Sequence, residues 1–176
     1  MLIDSIYKDH GYINRIIQLL DKKLNRLEEE KTVNYNVIRE SVDYLSSFAE
    51  KNHHPKEDRI YQYFIDKYGE NKALTNLLYE HNTLSADTVD FSITLEMILQ
   101  DAIVPKDIFR EHLLAFTKRI RRHLELEEKE VFPFLKAQLT EIDWRNLEKG
   151  WVEEDDPVFG ERVHKRYVQL AEQVRA

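Results

Sequence analysis

The sequence contains no cysteine. That absence excludes a disulfide scaffold, thiolate metal sites, iron–sulfur ligation and a cysteine nucleophile, and it fits a reducing compartment. Only four glycines and four prolines occur among 176 residues. An all-β chain with many tight turns needs more of both. Long apolar runs are also missing, so nothing reads as a membrane span. The opening MLIDSIYKDH carries Asp4 and Asp9 and shows no apolar signal core, so the expected location is the cytoplasm. Basic charge is in deficit, with 26 Lys and Arg against 33 Asp and Glu and a net charge of −7. Nucleic acid is therefore not expected as a partner, because phosphate neutralisation needs a basic surface. The cluster Lys118, Arg119, Arg121 and Arg122 reads as a solvated helix face.

What the chain does have is helical periodicity. Ile6, Ile13, Ile17, Leu20, Leu24 and Leu27 form one stripe, which ends at the charged run LEEEK. A second helix starts near Asn34–Asn36, carries Ile38, Val42, Leu45, Ala49, Ile60 and Phe64, and stops at Tyr68-Gly69. Pro55 lies inside it and should bend or restart it. A third helix runs from about Asn71 through Leu74, Leu77, Leu84, Phe91 and Leu95 to Ile98. After a break at Ile103-Val104-Pro105, a fourth carries Phe109, Leu113, Phe116, Ile120, Val131 and Phe134, with Pro133 disturbing its last turns. Trp144, Leu147 and Trp151 suggest a short helix in 140–152, EEDDPVFG a loop, and Phe159 to Val174 a terminal amphipathic helix. Short connections make neighbours antiparallel. The expected fold is all-α: an up-down-up-down four-helix bundle over residues 1–139, with a C-terminal helical cap over 140–176 packed on it.

The informative residues are the polar ones that interrupt the apolar stripes. His10 is followed by His53-x-x-x-Glu57, and His81 by His123-x-x-x-Glu127, with the second set 70 to 71 residues after the first. A spacing of four puts each His and Glu on one helix face, one turn apart. In an antiparallel bundle the four histidines fall at roughly one level. Two buried carboxylates are costly without positive charge. Imidazole and carboxylate without thiolate suit iron, manganese or zinc. Six ligands exceed a four-coordinate zinc site but suffice for two ions sharing both carboxylates. The predicted metal ligands are therefore His10, His53, Glu57, His81, His123 and Glu127.

Competing assignments exist. His54 and Asp58 form a rival pair one residue out of register, and Pro55 could rotate that register. Glu50/His53 and Glu161/His164 match the Glu-x-x-His spacing of ferritin-like sites, but His164 lies off its stripe. His112 reads as a surface or outer residue. Asp58 and Glu128, directly after the proposed ligands, face water or a ligand imidazole. Tyr7 or Tyr61 could line the site.

The stretches KDHGYI, NHHPKEDRIY, YEHNTL and RHLELEEKEVFPF resemble the hemerythrin-like family, also called the His-His-Glu cation-binding domain. The last stretch is the most specific, and the likeness covers roughly residues 1–139. The resemblance implies a non-haem centre of two iron ions in a four-helix bundle. It assigns His10 and His53 to one iron, His81 and His123 to the other, and Glu57 and Glu127 as bridges. One departure stands out: oxygen-carrying hemerythrins place a histidine four residues after the third-helix His, where this chain has Ser85. One iron could then keep an open or water-filled position. Four His with two Glu is closer to the branch associated with repair of damaged iron–sulfur clusters and with nitric-oxide stress. The implied activity is binding or reaction with a small ligand: oxygen, nitric oxide or peroxide. Iron storage, sensing or donation and a purely structural bundle are the alternatives. A homodimer and an iron-protein partner are both compatible with the sequence.

Overall fold

Two asparagines set helix starts. The side chain of Asn34 accepts from the backbone N–H groups of Asn36 and Val37, and that of Asn71 from Ala73 and Leu74. Each satisfies donors that the first helical turn leaves unpaired. The computed structural model describes residues 2–100 and 105–175. The described residues are 83% helix, with no strand among them. Helix α1 spans Leu2–Glu28 and α2 Tyr35–Tyr44, followed by a π-helical stretch over Leu45–His53 and by α3 over His54–Tyr68. Then come α4 (Lys72–Leu99), α5 (Lys106–Leu126), a π-turn (Glu127–Val131) and α6 (Phe132–Gln138). The break expected at Ile103-Val104 lies outside the described residues, as does the side chain of Ala49.

Both internal prolines are handled in the same way. Proline lacks an N–H and its ring crowds the carbonyl four residues earlier. For Pro55 that carbonyl belongs to Lys51, and for Pro133 to Lys129; both lie in π-helical backbone. Each proline then occupies the first turn of the next helix, where a missing N–H has no cost. The helices continue across the prolines with widened turns. His53 ends the first widened stretch, and Glu127 opens the second.

The core is split in two. One apolar cluster includes Ile3, Ile6, Ile60, Phe64, Leu74, Val131, Phe132 and Leu135. The other includes Ile13, Ile17, Val42, Phe91, Phe109, Leu113 and Leu124. On α1 the divide falls between Ile6 and Ile13, at His10. Helix α1 packs on α2 and α5, while α4 packs on α2, α3 and α5.

The C-terminal region rests on this frame. Helix α7 (Glu141–Glu148) begins with a capping box of Thr140 and Asp143 and packs on α1 and α3. Fully buried Asp143 accepts from Tyr63 at 2.7 Å, from Tyr68 at 2.6 Å and from Lys67. The terminal helix is shorter than the sequence predicts. It does not start at Phe159 but with a 3₁₀ turn over Lys165–Tyr167 leading into α8 (Val168–Arg175). Asp156 accounts for the difference. Its Oδ1 takes the N–H groups of Val158 and Phe159 at 2.7 Å each, and its Oδ2 accepts from Tyr44 at 2.7 Å, which holds a turn instead of a helix. Gly160 completes that turn, and a Cβ there would collide with Asp155.

Candidate metal centre

The layer between the two apolar clusters is polar. His10 on α1, His53 at the end of the π-stretch, Glu57 in the first turn of α3, His81 on α4, His123 in the last turn of α5 and Glu127 at the π-turn are all buried. The structure brings all six together. Glu57 Oε1 lies 3.1 Å from His10 Nε2 and 3.2 Å from His53 Nε2, and its Oε2 lies 3.5 Å from His81 Nε2. Glu127 Oε2 lies 3.3 Å from His123 Nε2 and 3.5 Å from His10 Nε2, and its Oε1 lies 3.5 Å from His81 Nε2. Each carboxylate therefore sits between imidazoles of both halves of the sequence repeat. His81 Nε2 and His123 Nε2 are 3.1 Å apart.

His10, His53, Glu57 and His81 perturb one another in this space. Burial disfavours the charged form of His10, yet hydrogen bonds with Glu128 and Glu57 outweigh it and push the imidazole up to about 10. Burial acts the same way on His81, where Asp58 and Glu127 lift it to about 10. His53 is raised despite its burial, by the charge of Glu57 and by the nearby Asp9 carboxylate. Burial would raise Glu57, but the neighbouring His53 and His10 hold it well below the usual carboxylate range. Protons on the imidazoles balance the carboxylates here, as a cation would.

Pairing is nevertheless incomplete. Six buried side-chain polar atoms among the described residues lack a hydrogen-bond partner: both ring nitrogens of His53, Nδ1 of His123, Oε2 of Glu57, Oε2 of Glu127, and Nε1 of Trp151. All but the last belong to this cluster. Buried polar atoms without partners are rare and mark a strained site or one that takes an ion. The donor set fits cations of the iron, manganese and zinc type.

The outward nitrogens of the histidines meet a second set of carboxylates. His10 Nδ1 lies 2.9 Å from Glu128, His81 Nδ1 2.6 Å from Asp58, His53 Nδ1 3.4 Å from Asp9 and His123 Nδ1 3.7 Å from Glu80. Asp58 and Glu128 thus face imidazoles, not only water. Asp9 and Glu80 were not singled out in the sequence. Their signal was available, since each precedes a histidine and they recur at the same offset as the histidines do. Buried Lys56 balances Asp9, with Nζ 2.8 Å from Oδ2, and lies 5.5 Å from the Trp151 ring centre.

The register question has a mixed answer. Glu57 points inward with no exposure, whereas the Asp58 side chain is 41% exposed. His54, however, is not excluded from the cluster. Its ring stacks on His81 at 4.2 Å, and its ligand atom groups with those of Glu57, His81 and His123 within 4.8 Å. Burial and the charge on His81 hold His54 well below the usual imidazole range, hence neutral. Tyr61 reaches the site, donating to Glu127 Oε1 at 2.7 Å. Tyr7 packs edge-on against Phe132, which in turn lies against His10. Exposed His112 lines a groove between α4 and α5. Exposed His164 caps the 3₁₀ turn, accepting from Arg166 N–H, and Glu161 is exposed too. The side chain of Glu50 lies outside the described residues. No helix among the described residues is long and apolar enough to cross a membrane.

Comparison with known proteins agrees with this chemistry. Uncharacterized proteins of Mycobacterium bovis and Mycobacterium tuberculosis are 19% identical over 161 residues, which cover 90% of this chain. The aligned region spans 62% of those relatives' length. No solved structure matches. The family model described as Hemerythrin HHE cation binding domain matches residues 1–135. That stretch spans the buried cluster from His10 to Glu127, and the chain belongs to the hemerythrin HHE cation-binding family.

Proposed function

We propose that this protein holds two iron ions without haem and binds or reacts with a small ligand: oxygen, nitric oxide or peroxide. The observation that carries this reading is the pair of buried carboxylates set between four inward Nε2 atoms, with His53 Nε2, Glu57 Oε2 and Glu127 Oε2 left unpartnered. His10 and His53 would hold one ion, His81 and His123 the other, with Glu57 and Glu127 shared and His54 available beside His81. Such a pair of ions supplies redox electrons and a coordination position for a small molecule.

The protein's own groups do the rest. The apolar clusters on either side exclude water from the layer. Tyr61 keeps a proton at Glu127 Oε1 and orients that carboxylate. In this reading the chain is an up-down-up-down bundle over residues 1–139 capped by 140–176. It works in the cytoplasm in nitrosative or oxidative stress, beside iron-containing partners.

The test is elemental analysis with an optical spectrum on protein reconstituted with ferrous iron. About two irons per chain are expected, with a visible band in air that is lost in His123→Ala. A colourless wild type that retains no iron overturns the proposal.

A further inference from the structure

Taken one at a time, the four outer carboxylates are neighbours of histidines. Taken together they form a closed circuit. Asp9 on α1 faces His53 at the α3 end, and Asp58 on α3 faces His81 on α4. Glu80 on α4 faces His123 on α5, and Glu128 beyond α5 faces His10 on α1. Every segment gives one carboxylate and receives one. Each acid is adjacent in sequence to a central residue of its own helix, yet its contact is on the next helix around the bundle. No contact doubles back.

We infer that Asp9, Asp58, Glu80 and Glu128 are positioning residues that lock the four imidazoles with Nε2 inward, each acting on the helix that follows its own around the bundle. This rests on the two-ion reading above. A carboxylate on Nδ1–H fixes which nitrogen is free to bind a cation and sets the ring's angle. The circuit does this by hydrogen bonds for His10 and His81, brings a carboxylate within 3.4 Å of Nδ1 in His53 and 3.7 Å in His123, and links the helices to one another at the level of the site. The contacts are not equal. Asp58 and Glu128 are the shortest, at 2.6 and 2.9 Å, and their side chains are partly exposed. They can be removed without burying an unpaired charge. Asp9 cannot, because Lys56 depends on it.

The experiment uses the whole chain loaded with zinc, with affinity read by competition against a chromophoric chelator. Asp58→Ala and Glu128→Ala should each weaken zinc binding about 10- to 100-fold. Asp58→Asn, which keeps an accepting oxygen, should fall between Asp58→Ala and wild type. Exposed Glu130→Ala should bind as wild type does. The imidazole region of proton–nitrogen NMR spectra supplies a readout that general loosening would not reproduce. In Asp58→Ala the Nδ1–H signal of His81 should shift and exchange faster with water, while that of His53, five residues before Asp58 in the same segment, stays put. A His53 signal that moves instead, or affinities within twofold of wild type, overturns the inference while leaving the two-ion reading intact. A wild type that takes up neither zinc nor iron removes both.

Discussion

The two halves of the centre share one pattern but not one environment. On the His10–His53 side, the outer acid Asp9 is buried, and buried Lys56 neutralises it under the ring of Trp151. On the His81–His123 side, the corresponding acid Glu80 is 33% exposed, and its pKa is lowered chiefly by its pairing with the His123 imidazole, 3.7 Å away. Equal spacing in sequence therefore gives one half whose histidine-preceding acid is sealed and one whose corresponding acid is near water, while Glu128 and Asp58 are partly exposed on either side. Part of the difference lies outside the repeat, because Trp151, which covers Lys56, belongs to the C-terminal region. An imidazole layer needs outer acids, but how far they are withdrawn from water depends on what the chain adds afterwards.

The largest effect should come from breaking the sealed half. Lys56→Ala leaves Asp9 buried without its cation, and loss of one partner of a buried pair costs about 3–5 kcal/mol. Urea unfolding of the metal-free protein measures it, and a loss under about 1 kcal/mol would mean that the half is not sealed. An intermediate effect is expected from pH, and here the halves should behave alike. His10 and His81 are each raised to about 10, against about 6.5 for an unfolded imidazole. A raised pKa means that the folded form binds the proton more tightly, so this stabilisation is complete below about 6.5. It disappears as pH climbs toward about 10. Metal-free protein should lose stability steadily across that window, and His10→Gln or His81→Gln should each flatten the slope. The smallest effect should be Glu80→Ala, within about 1 kcal/mol in the metal-free protein, since its interaction is long and partly screened. The same urea series checks it beside Lys56→Ala.

Much of this was legible in one dimension. A histidine four after Ile6 and three before Ile13 has to face the core, so the interruption of the stripe located the polar layer on α1. The repeat extended that reading to the other helices. Other features depend on backbone geometry that periodicity does not encode. A π-stretch before Pro55 brings both His53 and His54 to the cluster, whereas one helix face would admit only one of two adjacent residues. The register therefore looked like a choice. The terminal helix was overextended because Asp156 competes locally for backbone N–H groups, and a stripe of apolar residues says nothing about such capture. Asp9 and Glu80 were passed over because they sit just off the stripe, and only their distance to a neighbouring helix gives them a role.

The widened turn before Pro55 is slack wound into a rod. Each residue in an α-helix advances the side chains by about 100°. Excising one residue between Leu45 and Asn52 would let that stretch tighten into ordinary coil pitch with scarcely any change in composition or apolar content. Because a π-turn takes up one more residue than an α-turn for nearly the same rotation, His53 and Glu57 would still face α1 and α4, so a one-codon deletion there should spare the centre where a one-codon insertion in the neighbouring α-helix would turn its ligands away.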